Sequence, residues 1–319
     1  MKQQTNENLG CLIWRGSASA LRTLTAGRVR QFSGSIHAMT EAPDPSMTLW
    51  PKLPALPDLQ GSTRAAAENS GAAHPVKPFV RDDGHVRSLH FTQGEIQSRM
   101  DMRSPWQLEV DYTRTMMGFL LFNPVPAKLA MLGLGGGSLA KFCYRQMPQC
   151  HITVLECNPH VIALRRDFCV PEDDARFQVI EGDGAVFVAS PPPGLNVFLV
   201  DGFDHTGQPA SLCTQQFYDD CSAALAPDGL LAVNLHYDDA NYPVWVERIR
   251  RSFDGNLTEV PAPEKSNCIV FASRGAPLAG RRMHLQSGLS SLDSQARVQL
   301  KSEFQRIARY VQDQDVLSR

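Results

Sequence analysis

Short apolar runs alternate with longer amphipathic stretches through the second half of the chain. Apolar runs predict strands over residues 129–132, 151–155, 177–181, 196–200, 230–235, 257–261 and 268–273. Apolar residues at helical spacing predict helices over 138–147, 159–169, 213–225 and 244–253. Strands that alternate with helices predict a parallel sheet that helices cover on both faces.

A different pattern precedes this region. Residues 76–91 are predicted to form two short strands joined by a turn at Asp83–Gly84, and 95–102 a third strand. A helix over 108–122 follows and ends before Pro124. The predicted fold class is therefore α/β, a Rossmann-like sheet of the methyltransferase type with a small antiparallel β-hairpin module in front.

We divide the chain into four segments on this pattern. The first is an N-terminal extension, rich in Ala, Ser, Pro and Gly and expected to be disordered. Residues 8–38 contain four arginines and no acid, like a transit peptide, but we favour a start codon assigned too early. The segments are the extension (1–75), the β module (76–107), the main domain (108–280) and a C-terminal helical segment (281–319).

Composition excludes several classes of partner. The 319 residues are 43% hydrophobic and carry a formal net charge of −2, which gives no electrostatic reason to expect nucleic acid or an anionic membrane. No apolar stretch approaches the roughly 18 residues that span a bilayer. The eight cysteines show no metal-ligand spacing and are expected to be reduced. A cytoplasmic protein without a metal is therefore expected.

The stretch from 129 to 156 has the strongest functional pattern. Glycines at Gly133, Gly135 and Gly137 follow one predicted strand, and Glu156 ends the next. Glycine lets the backbone turn sharply and approach a ligand, and an acid at this place can accept hydrogen bonds from ribose hydroxyls. The pattern favours an adenosine-containing ligand over a plain βα turn with a surface glutamate.

Polar side chains also end the later strands. Asp183, Asp201, Asp204 and His236 each follow a predicted strand. Because the carboxyl ends of parallel strands meet at one edge of the sheet, ligands bind there. We therefore expect these residues to form one site with Glu156.

Four segments resemble the polyamine aminopropyltransferases, the spermidine synthase family. They are GLGGGS (133–138), VLECNP (154–159), EGDGAVFV (181–188) and VDGFDHTGQPASLCTQQFYDDC (200–221). The resemblance covers roughly residues 80–275 and implies a homodimer built partly through the N-terminal module. It also implies aminopropyl transfer from decarboxylated S-adenosylmethionine to a di- or polyamine, with release of methylthioadenosine.

The resemblance assigns roles to individual residues. Asp201 and Asp204 match the family's two catalytic acids, one to take a proton and one to orient the amine. Glu156 matches its ribose-binding acid and Asp183 the acid that contacts the adenine amino group. Gln97 and Tyr112 match a glutamine and a tyrosine of the family. We assign Gln97 to cofactor binding and Tyr112 to the substrate, and we add His236 as a further substrate-site residue or alternative base.

Three departures affect the amine half of the site. The family has an aspartate in its glycine turn that holds the donor's ammonium, and this chain offers Gly136 or Ser138 there. A proline is replaced by His205. Arg114 follows the helix tyrosine by two residues and would repel a cationic amine if it pointed inward.

Three alternatives to aminopropyl transfer remain at this point. A methyltransferase on the same fold would use S-adenosylmethionine itself, and Arg114 would then face its carboxylate. A non-catalytic nucleoside-binding homologue is disfavoured by the presence of both Asp201 and Asp204. A dinucleotide dehydrogenase is disfavoured because nothing downstream resembles a hydride-transfer site.

Overall fold

The computed structural model describes residues 75–317, except for 95, 191–193, 204–206, 265, 276 and 279–282, and its side chains up to 313. Apart from Pro75, the predicted N-terminal extension lies outside the described residues. Asp204 and His205 also lie outside them.

A small antiparallel sheet comes first. Its strands are β1 (Phe79–Asp83), β2 (Val86–His90) and β3 (Ser98–Asp101), paired in chain order. The β1–β2 hairpin turns at Gly84, whose positive φ of 59° is the conformation that glycine adopts without a Cβ penalty. The predicted antiparallel module is therefore confirmed.

The strands of the main sheet are β4 (Lys128–Leu132), β5 (His151–Glu156), β6 (Phe177–Glu181), β7 (Leu195–Val200), β8 (Leu225–His236), β9 (Leu257–Pro261) and β10 (Asn267–Ser273). These seven strands of the described part of the chain lie in the order β6–β5–β4–β7–β8–β10–β9. The strands β4 to β8 are mutually parallel, and β10 pairs antiparallel with both β8 and β9. The predicted parallel sheet is confirmed for β4 to β8, and the antiparallel β10 was not predicted.

Helices cover both faces of this sheet, and both faces bury apolar side chains. Among the described helices, none is both long and apolar enough to cross a membrane. The α-helices are α1 (Asp111–Met116), α2 (Ser138–Gln146), α3 (Pro159–Ala163), α4 (Gly184–Ala189), α5 (Gln215–Ala224), α6 (Tyr242–Ser252), α7 (Leu285–Ser290) and α8 (Ser294–Leu317), with 3-10 helices at Met117–Leu121 and Ala210–Cys213.

Three predicted boundaries are wrong. The helix predicted over 108–122 begins only at Asp111 and tightens into the 3-10 helix after Met116. The helix predicted to reach Cys169 ends at Ala163, and successive turns follow until Cys169 takes a positive φ of 55°. Strand β8 begins at Leu225, five residues before its predicted start, because the pairing with β7 shifts register and residues 226–229 are accommodated as an irregularity within the strand.

The antiparallel module is attached to the turns after α3 and to α2. Arg87 donates to the Asp167 carbonyl over 2.8 Å. The Lys141 ammonium donates to the Phe168 carbonyl over 2.8 Å and lies 3.2 Å from the sulfur of Met100, and the side chain is only 1% exposed. Burial lowers the pKa of Lys141 to about 8. These contacts hold β3 over the amino end of α2.

Candidate functional site

The site lies where the order of strands reverses. From β4 the chain moves outward through β5 to β6, and then returns to the other side of β4 with β7. The ends of β4 and β7 therefore open a crevice of the kind that binds ligands in α/β sheets. Gly133 follows β4 and Asp201 follows β7, and a Cβ on Gly133 would lie 2.1 Å from the Asp201 carbonyl oxygen. Only glycine fits there, and its φ is 93°.

The rest of the glycine turn packs against the antiparallel module. Gly135 and Gly137 also have positive φ, 51° and 66°. A Cβ at Gly136 would lie 2.5 Å from the Ser98 hydroxyl oxygen. That oxygen is 3.4 Å from the Ser138 hydroxyl. The spermidine synthase family has a carboxylate in this turn. This chain instead has the hydroxyl groups of Ser98 and Ser138, and no side chain fits at position 136.

Glu156 is held firmly at the end of β5. One carboxylate oxygen accepts from the Leu134 N–H over 2.9 Å and the other from the Asn158 N–H over 2.9 Å. The residue is 8% exposed. The Cys157 thiol also donates to Oε1, over 3.8 Å, whereas Oε2 keeps a lone pair that can accept from a ligand hydroxyl. The geometry suits the predicted ribose contact.

Asp201 receives hydrogen bonds from two sides. The Tyr112 hydroxyl of α1 donates to Oδ2 over 3.1 Å, and the Asn234 amide of β8 donates to Oδ1 over 2.8 Å. Asn267 of β10 donates in turn to the Asn234 carbonyl oxygen over 2.9 Å. Burial raises the pKa of Asp201, and the bonds from Asn234 and Tyr112 oppose that rise because they stabilise the anion.

Two cavities share a wall near Asp201. Gln97, Val110, Tyr112 and Phe203 line both of them. The inner cavity, of about 70 Å³, contains the glycine turn together with Ser98, Ser138, Glu156 and Asp201. The outer cavity, of about 460 Å³, contains Asn234, His236, Trp245 and the polar groups Gln208, Asp239, Glu264, Ser266 and Asn267.

The structure brings most of the predicted site residues together. Gln97 and Tyr112 lie in the shared wall of the two cavities, and His236 lies in the outer cavity with its ring 4.6 Å from that of Phe203. Asp183 lines neither cavity. It is exposed and caps α4, where Oδ1 accepts from the Ala185 N–H over 2.7 Å.

Arg114 does not reach the cavities. Its guanidinium pairs with Asp111, one turn earlier on α1, and donates to the Leu108 carbonyl over 2.6 Å. It lines neither cavity. Two roles were considered for Arg114 from the sequence, repulsion of a cationic amine and pairing with a donor carboxylate. This orientation supports neither.

Several residues of the site were not predicted from the sequence. Asn234 is a polar residue inside the apolar run LLAVNLH, and a buried amide needs a partner, so this signal was available. Gln208, Asp239 and Glu264 lie in loops with no periodic pattern, and only the tertiary structure brings them to one cavity. Among the described residues, no cluster of three His, Cys, Asp or Glu side chains suits a metal ion.

Comparison with known proteins agrees with this architecture. Residues 89–235 match a family model described as an O-methyltransferase domain. The polyamine aminopropyltransferase of Chromobacterium violaceum is 38% identical over 199 residues, which cover 62% of this chain and 76% of the relative.

Two solved structures share the fold. The probable spermidine synthase from Corynebacterium glutamicum has a TM-score of 0.57 at 19% identity, covering 67% of this chain and 82% of that one. Human methyltransferase-like protein 13 in complex with SAH has a TM-score of 0.51 at 21% identity, covering 60% and 93%. Since the same fold occurs under both names, the fold alone does not separate the two activities.

Replacing Gly133 with alanine tests the geometry of the crevice. The new Cβ would collide with the Asp201 carbonyl and the φ of 93° would be strained, so the backbone at both strand ends must move. We expect the melting temperature to fall by about 5 °C or more. Calorimetric binding of methylthioadenosine should be lost.

Gly94→Ala is the matched control, because no atom lies within 4 Å of a Cβ built there and its φ is not positive. It should leave the melting temperature and the affinity for methylthioadenosine unchanged. A Gly133→Ala protein with the melting temperature and affinity of the native chain would show that the close approach is not required.

Proposed function

The chain belongs to the polyamine aminopropyltransferase family, and on this premise we propose that it transfers an aminopropyl group from decarboxylated S-adenosylmethionine to a di- or polyamine. The observation that carries the proposal is the charge of the two cavities. Among the described residues that line them there are four acids, Glu156, Asp201, Asp239 and Glu264, and neither lysine nor arginine. Such a surface favours cationic substrates.

The same observation supports the choice of donor. The carboxylate of S-adenosylmethionine would enter a cavity lined by Glu156 and Asp201, where no lysine or arginine among the described residues lies beside it. A desolvated, unpaired charge is costly. The decarboxylated donor lacks that carboxylate, and its ammonium end meets the hydroxyls of Ser98 and Ser138 instead of the aspartate of the family.

We assign the nucleoside to the inner side of the crevice. Glu156 would accept from the ribose hydroxyls, and the turn of Gly133, Gly135 and Gly137 would lie against the sugar and the sulfonium. The inner cavity is narrow, so the adenine would extend beyond it toward Asp183. This arrangement leaves the methylene next to the sulfur facing Asp201.

The reaction needs little from the protein beyond position and one base. The acceptor nitrogen attacks the methylene carbon, a C–N bond forms, and the C–S bond breaks with its electrons going to sulfur, which leaves neutral methylthioadenosine. Asp201 takes the proton that the nitrogen loses. We propose that Tyr112 and Asn234 position its carboxylate, that Gln97 and His236 face the acceptor, and that Asp204 orients the amine.

We also propose that the protein acts in the cytoplasm as a homodimer. Family membership supports both statements. The antiparallel module offers the edge strands β1 and β3 of its sheet as a surface for a second copy. Molar mass by light scattering tests the homodimer directly.

A product assay tests the function. The protein, decarboxylated S-adenosylmethionine and 1,4-diaminobutane should give methylthioadenosine and an aminopropylated amine in equal amounts by mass spectrometry. Asp201→Asn removes the base and should lower kcat/KM at least about 100-fold while methylthioadenosine still binds. Asp220→Asn, which alters a helix-surface acid bonded to Gln216, should not lower it.

Methylation of an acceptor from S-adenosylmethionine, with no product from the decarboxylated donor, would overturn the proposal. So would an Asp201→Asn protein with the activity of the native chain, because the carboxylate would then not be the base.

Tyr112→Phe tests how the carboxylate is tuned. Loss of the hydroxyl removes a hydrogen bond that stabilises the Asp201 anion, so the pKa of Asp201 rises further above its usual value. Activity depends on the ionised carboxylate, so the acid limb of kcat/KM against pH should move upward by about one unit.

Tyr144→Phe provides the matched control for the pH profile. It removes a tyrosine-to-aspartate hydrogen bond of 2.7 Å to Asp174 outside both cavities. Its acid limb should coincide with that of the native protein. An unmoved acid limb in Tyr112→Phe would mean that Asp201 does not control the profile.

A further inference from the structure

The C-terminal helix α8 packs against the segment that carries Tyr112. The helix is 24 residues long, and its side chains Leu300, Phe304 and Ile307 are fully buried. A Cβ at Gly118, in the 3-10 helix after α1, would lie 2.8 Å from Cδ1 of Ile307, so the two elements are in close contact. None of the described side chains of α8 lines either cavity.

Gln299 of α8 holds the backbone just before α1. Its Oε1 accepts from the Leu108 N–H over 3.2 Å, and its Nε2 donates to the Leu108 carbonyl over 3.1 Å. Leu108 is fully buried, and a buried backbone needs partners for both of its polar groups. One side chain of α8 supplies a partner for each, so the start of α1 is fixed to α8.

Glu303 of α8 holds the other end of α1. The Thr115 hydroxyl donates to Oε1 of Glu303 over 2.5 Å, and both residues are buried. Arg306 donates to both carboxylate oxygens of Glu303, over 2.6 and 2.9 Å. Since a buried carboxylate is costly when it loses a partner, this set of bonds fixes the distance from Thr115 to α8.

Tyr112 lies between these two anchors, on a helix that does not hold itself. Helix α1 has six residues, and its N-cap Val110 makes no side-chain capping bond. So short a helix is unstable without packing. The Tyr112 hydroxyl is 3.1 Å from Oδ2 of Asp201, near the upper limit for an O–H···O bond. A displacement of α1 by about 0.5 Å away from Asp201 would therefore break this bond.

Resting on the proposed function, we infer that Gln299 and Glu303 are positioning residues that hold α1 so that the Tyr112 hydroxyl reaches the Asp201 carboxylate. They touch neither cavity and act on the reaction only through that hydrogen bond. The C-terminal helix then belongs to the apparatus that keeps Asp201 ionised, and its contribution is distinct from its contribution to stability.

The groups around Asp201 give the direction of the effect. The titratable groups on the adjoining elements are Asp111, Tyr112 and Arg114 of α1, His236 at the end of β8 and Glu156 at the end of β5. The bond from Tyr112 lowers the pKa of Asp201 because it stabilises the anion, so its loss raises that pKa. A variant at Gln299 or Thr115 that changes no charge leaves every other group in this set as it is.

Gln299→Leu tests the inference through the pH dependence of kcat/KM. It removes both bonds to Leu108, so the acid limb should move upward by about half a unit, less than in Tyr112→Phe. In a Tyr112→Phe background it should move the acid limb no further, because both changes act on one bond. Thr115→Val keeps the side-chain volume and removes the bond to Glu303, and it should move the acid limb in the same direction.

Gln146→Leu is the matched control. Gln146 makes a similar pair of bonds, over 2.8 and 2.9 Å, with Asp293 directly before α8, and so ties the same helix to α2 instead of α1. Gln146→Leu and Gln299→Leu should each lower the melting temperature by about 2–4 °C. The acid limb of Gln146→Leu should nevertheless coincide with that of the native protein.

Three results would overturn the inference. An acid limb that stays in place in both Gln299→Leu and Thr115→Val would show that α8 only stabilises the fold. A shift of full size in the Tyr112→Phe background would show that α8 does not act through the tyrosine. An equal shift in Gln146→Leu would show that any loosening of α8 has the same effect.

A direct measurement separates this inference from the proposed function. If the native protein transfers no aminopropyl group, the proposed function fails, and the pKa of Asp201 is measured instead by ¹³C NMR of carboxyl-labelled aspartate. The resonance is assigned by its absence in Asp201→Asn. Gln299→Leu should raise this pKa by about half a unit and Gln146→Leu should not. The same pKa in the native protein and in Gln299→Leu overturns the inference.

Discussion

The half-buried carboxylate of Asp201 is the constraint on which the rest of the site depends. A carboxylate in such a place needs hydrogen-bond donors, and they come from α1 through Tyr112 and from β8 through Asn234. Asn267 of β10 fixes the Asn234 amide in turn. Hydrogen bonds to this one carboxylate therefore connect α1 to the strands β7, β8 and β10. The carboxylate lies where the two cavities meet.

The close approach of Gly133 to Asp201 places this carboxylate beside the glycine turn. Because no Cβ fits between them, the ends of β4 and β7 lie closer than side chains would allow. Ser98 of the antiparallel module likewise lies so close to Gly136 that no Cβ fits there. Backbone proximity thus shapes the inner cavity, whereas acids on loops line the outer one.

Sequence pattern predicted the parts of the molecule in which local rules apply. The apolar runs gave the strands, and the glycines with Glu156 gave the turn and the acid at its edge. The early end of α3 at Ala163 and the bulge in β8 were not predictable from periodicity, because tertiary packing decides them. The orientation of Arg114 was not predictable either, because only the structure shows that its guanidinium pairs with Asp111 one turn away. Gln208 and Glu264 had no local signal at all.

Side-by-side calorimetric titration of the native protein with decarboxylated S-adenosylmethionine and with S-adenosylmethionine tests the donor preference most directly. The two cavities are acidic, with no lysine or arginine among the described residues that line them, and should select a donor that lacks a carboxylate. We expect the decarboxylated donor to bind at least about tenfold more tightly, a difference of about 1.4 kcal/mol. Equal affinity, or tighter binding of S-adenosylmethionine, would contradict it.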